Sequence, residues 1–293
     1  MRELRPVSVF VPMLVLAAGT FAAAQSGGGD WQKVYPTPGK ASLTLSTGDA
    51  SVDARACGDC HEVRIRVEWK DRKPDDFTLN EFQSGDHVSF ELKEKSRLGM
   101  HFQMGNIKEP QVTVETPAAL DLEARTSDGA LKVSGIQGTV ELHTSDGAVD
   151  VEDVGGAVRL TASDGSIKIH NVTGTLESRS SDGRASVEGK FSALQVHTSD
   201  GSLDVTVADG SQLNTASHIE SSDGQVSVRL PRAIAVDLDV HTSDGHINCA
   251  LPLTMEGYNS ANSSGHSLRG HLNGGGVPLT IHTSDGNVSI VGS

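Results

Sequence analysis

Aromatic side chains are scarce, with seven Phe, two Trp and two Tyr among 293 residues. Together with 32 glycines, that scarcity excludes a conventional large helical core and points to many small turns. Three cysteines are too few for a disulfide framework. Basic residues are outnumbered, 24 Lys and Arg against 38 Asp and Glu, for a net charge of −14. Nucleic acid is thereby excluded as a partner, because a phosphate backbone requires a face rich in Lys and Arg. Beyond the first residues no apolar run approaches the roughly 20 residues that a membrane-spanning helix needs. The length accommodates one large domain or two ordinary ones.

The one apolar run has the grammar of an address. Arg2 and Arg5 precede the stretch from Val7 to Phe21, and Ala22, Ala23 and Ala24 follow it. Basic, apolar and small residues in that order read as a secretory signal over residues 1–24. Pro12 and the shortness of the run argue against a retained span, and no Cys follows to take a lipid. The expected mature chain is exported to the periplasm, the cell surface or the medium. A flexible leader over residues 25–40 is expected to precede its folded part.

Ser-Asp-Gly occurs eight times, centred on Asp128, Asp146, Asp164, Asp182, Asp200, Asp223, Asp244 and Asp285. The first four intervals are 18 residues each, followed by 23, 21 and 41. Ser263-Ser264-Gly265 divides the longest interval and reads as a degraded copy. A fixed period of this kind signals a solenoid. Within each period the apolar residues alternate, as in Leu131 and Val133 or Val140 and Leu142, which is strand spacing. Each period thus holds two short strands and two corners. Ser-Asp-Gly makes one corner, with Asp bonding the backbone ahead and Gly supplying positive φ. Gly138, Gly156 and Gly174 mark the other, with Ile136, Val154 and Val172 turned inward. About nine such rungs, stacked at roughly 4.8 Å, make a rod roughly 43 Å long. Outward ladders alternate in charge, as in Glu141, Arg159 and Glu177, or Lys132, Asp150 and Lys168, which suits cross-strand pairing.

The fold class expected is therefore all-β, a parallel β-solenoid of about 18–21 residues and two strands per turn. Residues 111–293 form the solenoid. Residues 41–110 break the period and are read as an N-terminal β cap. Ser46 to Asp49 look like a decayed first rung there. Val63 to Val67 and His87 to Leu92 look like strands of an antiparallel hairpin.

Gln111 to Pro117, then Leu120, Leu122 and Thr126 to Gly129, recur as Gln225 to Pro231, Leu238, Val240 and Thr242 to Gly245. This pattern resembles the bacterial putative-adhesin family of β-strand repeats, a group without an assigned function. The resemblance implies an exported β-solenoid and brings no catalytic residues with it. Cys57 and Cys60 depart from that family's pattern.

Cys57-Gly58-Asp59-Cys60-His61 is the sharpest local motif. Its spacing matches c-type haem attachment, with Met100, His101 or Met104 as a second axial ligand. The strand-like flanks favour a loop disulfide between Cys57 and Cys60 instead. Cys249 occupies the inward position of Val133 and Val151 and reads as a buried thiol. His143, His197, His241 and His282 share one outward position, two residues before Ser-Asp-Gly. Rungs carrying Thr161 and Arg179 put His143 about 14 Å from His197, too far for one metal, and the four histidines are not expected to share one. These histidines are read as partners of the adjacent Asp column, like Arg125 and Arg179. The Asp column itself is read as turn chemistry. A weak calcium column through Asp128, Asp146, Asp164, Asp182 and Asp200 is the alternative.

The reading of function is an exported, non-enzymatic, adhesin-like interaction or structural module, monomeric and without a cofactor. Its partner would be an envelope or extracellular protein or a glycan. The alternatives are a β-helix enzyme acting on extracellular polysaccharide and a haem or redox protein using Cys57, Cys60 and His61.

Overall fold

The computed structural model describes residues 29–95, 107–254 and 265–293. The signal segment, Met100, His101, Met104, Ser263 and Ser264 lie outside the described residues. Strands dominate, and one 3-10 turn, Pro74–Asp76, interrupts them. The first seven are β1 (Trp31–Pro36), β2 (Ala41–Thr47), β3 (Ser51–Cys57), β4 (Glu62–Glu68), β5 (Phe77–Ser84), β6 (His87–Glu94) and β7 (Gln111–Pro117). Five more follow as β8 (Leu120–Arg125), β9 (Leu131–Ser134), β10 (Gln137–Thr144), β11 (Val149–Glu152) and β12 (Gly155–Asp164). The centre holds β13 (Ile167–Asp182), β14 (Ala185–Asp200), β15 (Leu203–Val207), β16 (Ser217–Asp223) and β17 (Val226–Leu230). The last are β18 (Val236–Asp244), β19 (Ile247–Cys249), β20 (Ser267–Leu272), β21 (Val277–Asp285) and β22 (Val288–Gly292).

Coils of two strands stack in parallel, one strand on each of two faces. On the first face β8, β10 and β12 pair in register, with Val140 between Leu122 and Val158. On the second face β9, β11 and the start of β13 do the same, with Val151 between Val133 and Ile169. β13 and β14 each run 16 residues through a corner and so serve both faces. Inward residues such as Val140, Leu142, Val149 and Val151 are at most 1% exposed. Alternation with period two predicts each of these orientations. The fold is all-β and solenoid-like, but the sheet is mixed, because antiparallel strands close its ends. β5 covers β6, β4 covers β7 with β1 outside it, and β20 covers β18. Covered ends leave fewer unpaired N–H and C=O groups to recruit another chain.

The order of coils along the rod departs from the order along the chain at both ends. The first coil, β2–β3, lies between β6–β7 and β8–β9. The last coil, β21–β22, lies between β16–β17 and β18–β19. Each end is thus interlocked, with a terminal segment inserted between two coils of the adjoining chain.

Several expectations change accordingly. Residues 31–36, assigned to a flexible leader, form β1. Residues 41–57 are a full rung of the stack, so no boundary at residue 110 separates them from the solenoid. Val63 to Val67 and His87 to Leu92 do lie in strands, but β4 pairs with β1 and β7 while β6 pairs with β2 and β5, so they form no hairpin together. Asp244 and Asp285 sit side by side, so no rung lies between them.

Six of the seven described aromatics gather at the N-terminal end, Phe191 in the middle of the rod being the exception. Trp31 packs on Phe90 with ring centroids 5.5 Å apart, and Trp69 on Phe77 at 5.7 Å. Tyr35 is 1% exposed and donates its hydroxyl to Glu81 at 3.1 Å. Burial, and then the Glu81 charge, hold that phenol well above its ordinary range. Large rings suit an end cap, where the two-sheet interior of the rod must be closed.

A buried hydroxyl column accompanies the corner. Thr144 donates to the Ser127 carbonyl of the preceding rung at 3.2 Å and accepts the Gly147 amide at 3.0 Å. Thr126, Ser180, Thr198, Ser221, Thr242 and Thr283 bond neighbouring rungs in the same way. Replacing Thr144 by Val keeps the shape and removes both bonds, leaving the Gly147 amide unsatisfied. The expected cost is about 1–3 kcal/mol, read as a fall of several degrees in the thermal midpoint.

Candidate functional site

The Ser-Asp-Gly corners align into one edge of the rod. Asp164, Asp182, Asp200, Asp223, Asp285 and Asp244 are register partners in that order. All are exposed, as are Asp128, Asp146 and also Asp49, contributed by the inserted first coil. Two sequence expectations about this corner fail. The Gly129 and Gly147 amides go to the hydroxyls of Thr126 and Thr144, not to the carboxylates. Positive φ occurs only at Gly183 among the Ser-Asp-Gly glycines, at 111°.

Desolvation, then the Asp164 carboxyl beside it, raises Asp182 above the usual carboxylate range, with Asp200 adding to the effect. Desolvation and then Asp128 raise Asp49 in the same direction. A carboxyl whose folded pKa is raised favours the fold most fully below its unfolded value, near pH 4. That contribution is lost as pH rises through the folded value. Asp182→Asn should therefore raise the melting midpoint slightly at pH 7. The advantage should vanish near pH 3, and an unchanged difference across that range would contradict the charge origin.

The first face carries the His, Arg and Glu ladders. The His and Arg side chains expected to serve the Asp column turn instead to glutamates, as three of them show. His143 lies 2.8 Å from Glu141, Arg125 2.8 Å from Glu123, and Arg179 pairs with Glu177. The His143 hydrogen bond holds Glu141 below the usual carboxylate range. The reason is geometric. An outward residue two places along the same strand lies on the same face, whereas the Asp side chains leave at the corner. Between β13, β14 and β16 this face has a concavity of about 440 Å³, lined by Glu177, Arg179, Gln195, His197, His218 and Glu220. Its acids are engaged, Glu177 by Arg159 and Arg179, and Glu220 by His197 at 3.4 Å.

Chain order also misplaced two histidines. Because β21 is inserted beside β18, His241 and His282 are immediate neighbours. Their rings stack with centroids 5.4 Å apart and planes 6° apart.

Cys57 ends β3 and faces Cys60 across a tight loop, with Cα atoms 5.9 Å apart and the sulfurs within bonding distance. Such a Cα separation lies within the disulfide range. His61 is exposed beside them. The loop carries the chain over the end of β7, since β3 and β4 flank that strand on opposite sides. Cys249 points inward opposite Ile290 as expected, but it is only half-buried because β19 belongs to the outermost coil. Burial still pushes its thiol pKa up. No described helix is long and apolar enough to cross a membrane.

Stacked two-strand coils with a recurrent corner define a β-solenoid-like repeat protein. The chain belongs to the Toastrack DUF4097 family, whose pattern matches residues 41–291. Among solved structures it is similar to a "putative lipid binding protein" from Parabacteroides distasonis ATCC 8503, at 14% identity over 90% of this chain and 97% of that one, with a TM-score of 0.50. A "putative adhesin" from Bacteroides fragilis NCTC 9343 matches at 11% identity over 89% and 97%, TM-score 0.40. A "putative cell adhesion protein" from Clostridium sporogenes ATCC 15579 matches at 12% identity over 89% and 99%, TM-score 0.28. Such identities speak to the fold alone. No curated protein matches the chain.

Proposed function

We propose that this protein is an exported, non-enzymatic interaction module of the cell surface or periplasm, adhesin-like in the sense of presenting a rigid β rod to a partner. The observation that carries this reading is the first face. Its outward side chains form a continuous polar surface with a shallow concavity, and the acids there are committed to ion pairs. Membership of the Toastrack family supports it, as does the signal-like order of residues 1–24. Cys57 and Cys60 are proposed as a disulfide that an oxidising compartment would maintain. The Asp column is proposed as a charged edge and not a calcium site. A thermal melt with millimolar calcium against chelator should therefore show little shift.

Pull-down from the native envelope with the mature chain tests the main reading. A saturable partner whose capture weakens when Arg179 and His197 are replaced would support it. Incubation with a panel of polysaccharides tests the enzyme alternative. Specific cleavage abolished by Glu177→Gln or Glu220→Gln would overturn the non-enzymatic reading.

A further inference from the structure

We propose that His241 and His282 form a seat for one divalent transition metal of the Zn²⁺, Cu²⁺ or Ni²⁺ class, with Glu220 as its carboxylate neighbour. The seat exists because of the interlocked end. β18 and β21 lie far apart in the chain, yet the insertion of β21 makes their outward positions adjacent. Glu220 on β16 is the next residue in the same ladder, in register with His282. Three strands from three different coils thus present imidazole, imidazole and carboxylate side by side, a donor set that suits zinc, copper and nickel.

The geometry requires only side-chain motion. The two rings are parallel and 5.4 Å apart between centroids. Two nitrogens on one tetrahedral zinc, each at about 2.1 Å, stand roughly 3.4 Å apart. Parallel rings aim their in-plane lone pairs side by side, so each ring must turn by about 55° to point its nitrogen at a shared tetrahedral metal, a change the broad terminal torsion of His allows. Both side chains face outward, so the turn disturbs no packing. Glu220 lies 3.4 Å from His197, and binding the metal would exchange that contact for a metal bond beside His282. Among the described residues no three such donors already converge on one point, so metal would draw the third ligand in. His143 has no such neighbour, lying between Arg125 and Thr161, and His197 lies between Arg179 and Glu220. Asp239, beside His241 on β18, is engaged by Arg269 at 3.0 Å and does not compete.

A metal held there would tie the inserted last coil to both coils that flank it. Binding requires the stacked arrangement, so it selects the folded chain and raises its stability with metal concentration. This inference does not depend on the proposed interaction role.

The test is calorimetric titration of the mature chain with zinc chloride, joined to thermal melts with and without chelator. The wild type should bind one zinc, with a midpoint that climbs as zinc is added and returns with EDTA. H241N and H282N should each weaken binding by about tenfold or more. H143N should leave it unchanged. Both test positions are outward, so the folded state is checked by circular dichroism, and either variant alone suffices. The proposal is overturned if millimolar zinc gives no heat and no shift, or if H241N and H282N both respond as strongly as the wild type.

Discussion

Val151→Asp is expected to unfold the rod, whereas Asp150→Ser, one residue away, leaves it folded. Val151 is fully buried between Val133 and Ile169 in the narrow interior. The substitution forfeits about 1.5–3 kcal/mol of apolar burial. It also places a carboxyl where no cation or donor faces it, a penalty of several kcal/mol whether the group stays charged or takes up a proton. The sum rivals the 5–15 kcal/mol that holds a typical domain together. In a stack of coils the damage spreads, because each coil is stabilised mainly by its two neighbours. Asp150 faces outward between Lys132 and Lys168, with the Lys132 ammonium 3.9 Å away. Exposed pairs of this kind contribute about 0–1 kcal/mol. Circular dichroism melts of the two variants decide the matter, and equal midpoints would mean that the inward and outward faces are misassigned.

Orientation was legible in the sequence because strand side chains alternate with period two, so Val149 and Val151 announce their own face. Adjacency was not. Every coil offers its neighbours a similar interior of Val, Leu and Ile and the same backbone groups, so nothing local tells β21 to lie beside β18 and β16. Hence the two coil inversions were missed, and with them the meeting of His241 and His282. The corner motif was recognised as a turn but given the wrong chemistry. A Ser or Thr precedes Ser-Asp-Gly in seven of the eight copies, Ala162 being the exception, which was the available signal for the buried hydroxyl column. The partners of the His and Arg ladder were not legible either, because in the sequence the Asp column lies adjacent, whereas in the fold its side chains leave at the corner and the same-face glutamates lie closer. Cys249 was oriented correctly, but its exposure depended on which coil ends the stack.

Gly201→Ala is expected to be strongly damaging, as the same change should be at Gly224 and Gly245, whose added methyls would also stand 1.9 Å from a backbone oxygen, and its physics differs from that of a turn glycine. Gly201 does not have the positive φ that favours glycine, so Ala could adopt its backbone conformation. What it lacks is room. A Cβ there would stand 1.9 Å from the Gly183 carbonyl oxygen of the preceding rung and 3.0 Å from its carbon. Both obstacles are backbone, so no side chain can rotate away. The rungs would have to part, straining the bonds from the Gly183 amide to the Asp200 carbonyl and from the Gly201 amide to the Asp223 carbonyl. Overpacking of this kind costs about 1–3 kcal/mol where side chains can adjust. Here the upper end or beyond is expected, about 3 kcal/mol, a fall of roughly 6–12 °C in the melting midpoint. Gly48→Ala is the control, since no atom lies within 4 Å of its added methyl, and it should change the midpoint little. Similar midpoints for the two variants would show that the rungs yield easily at this edge. The glycine of each Ser-Asp-Gly would then have to be explained by something other than the close approach of successive coils.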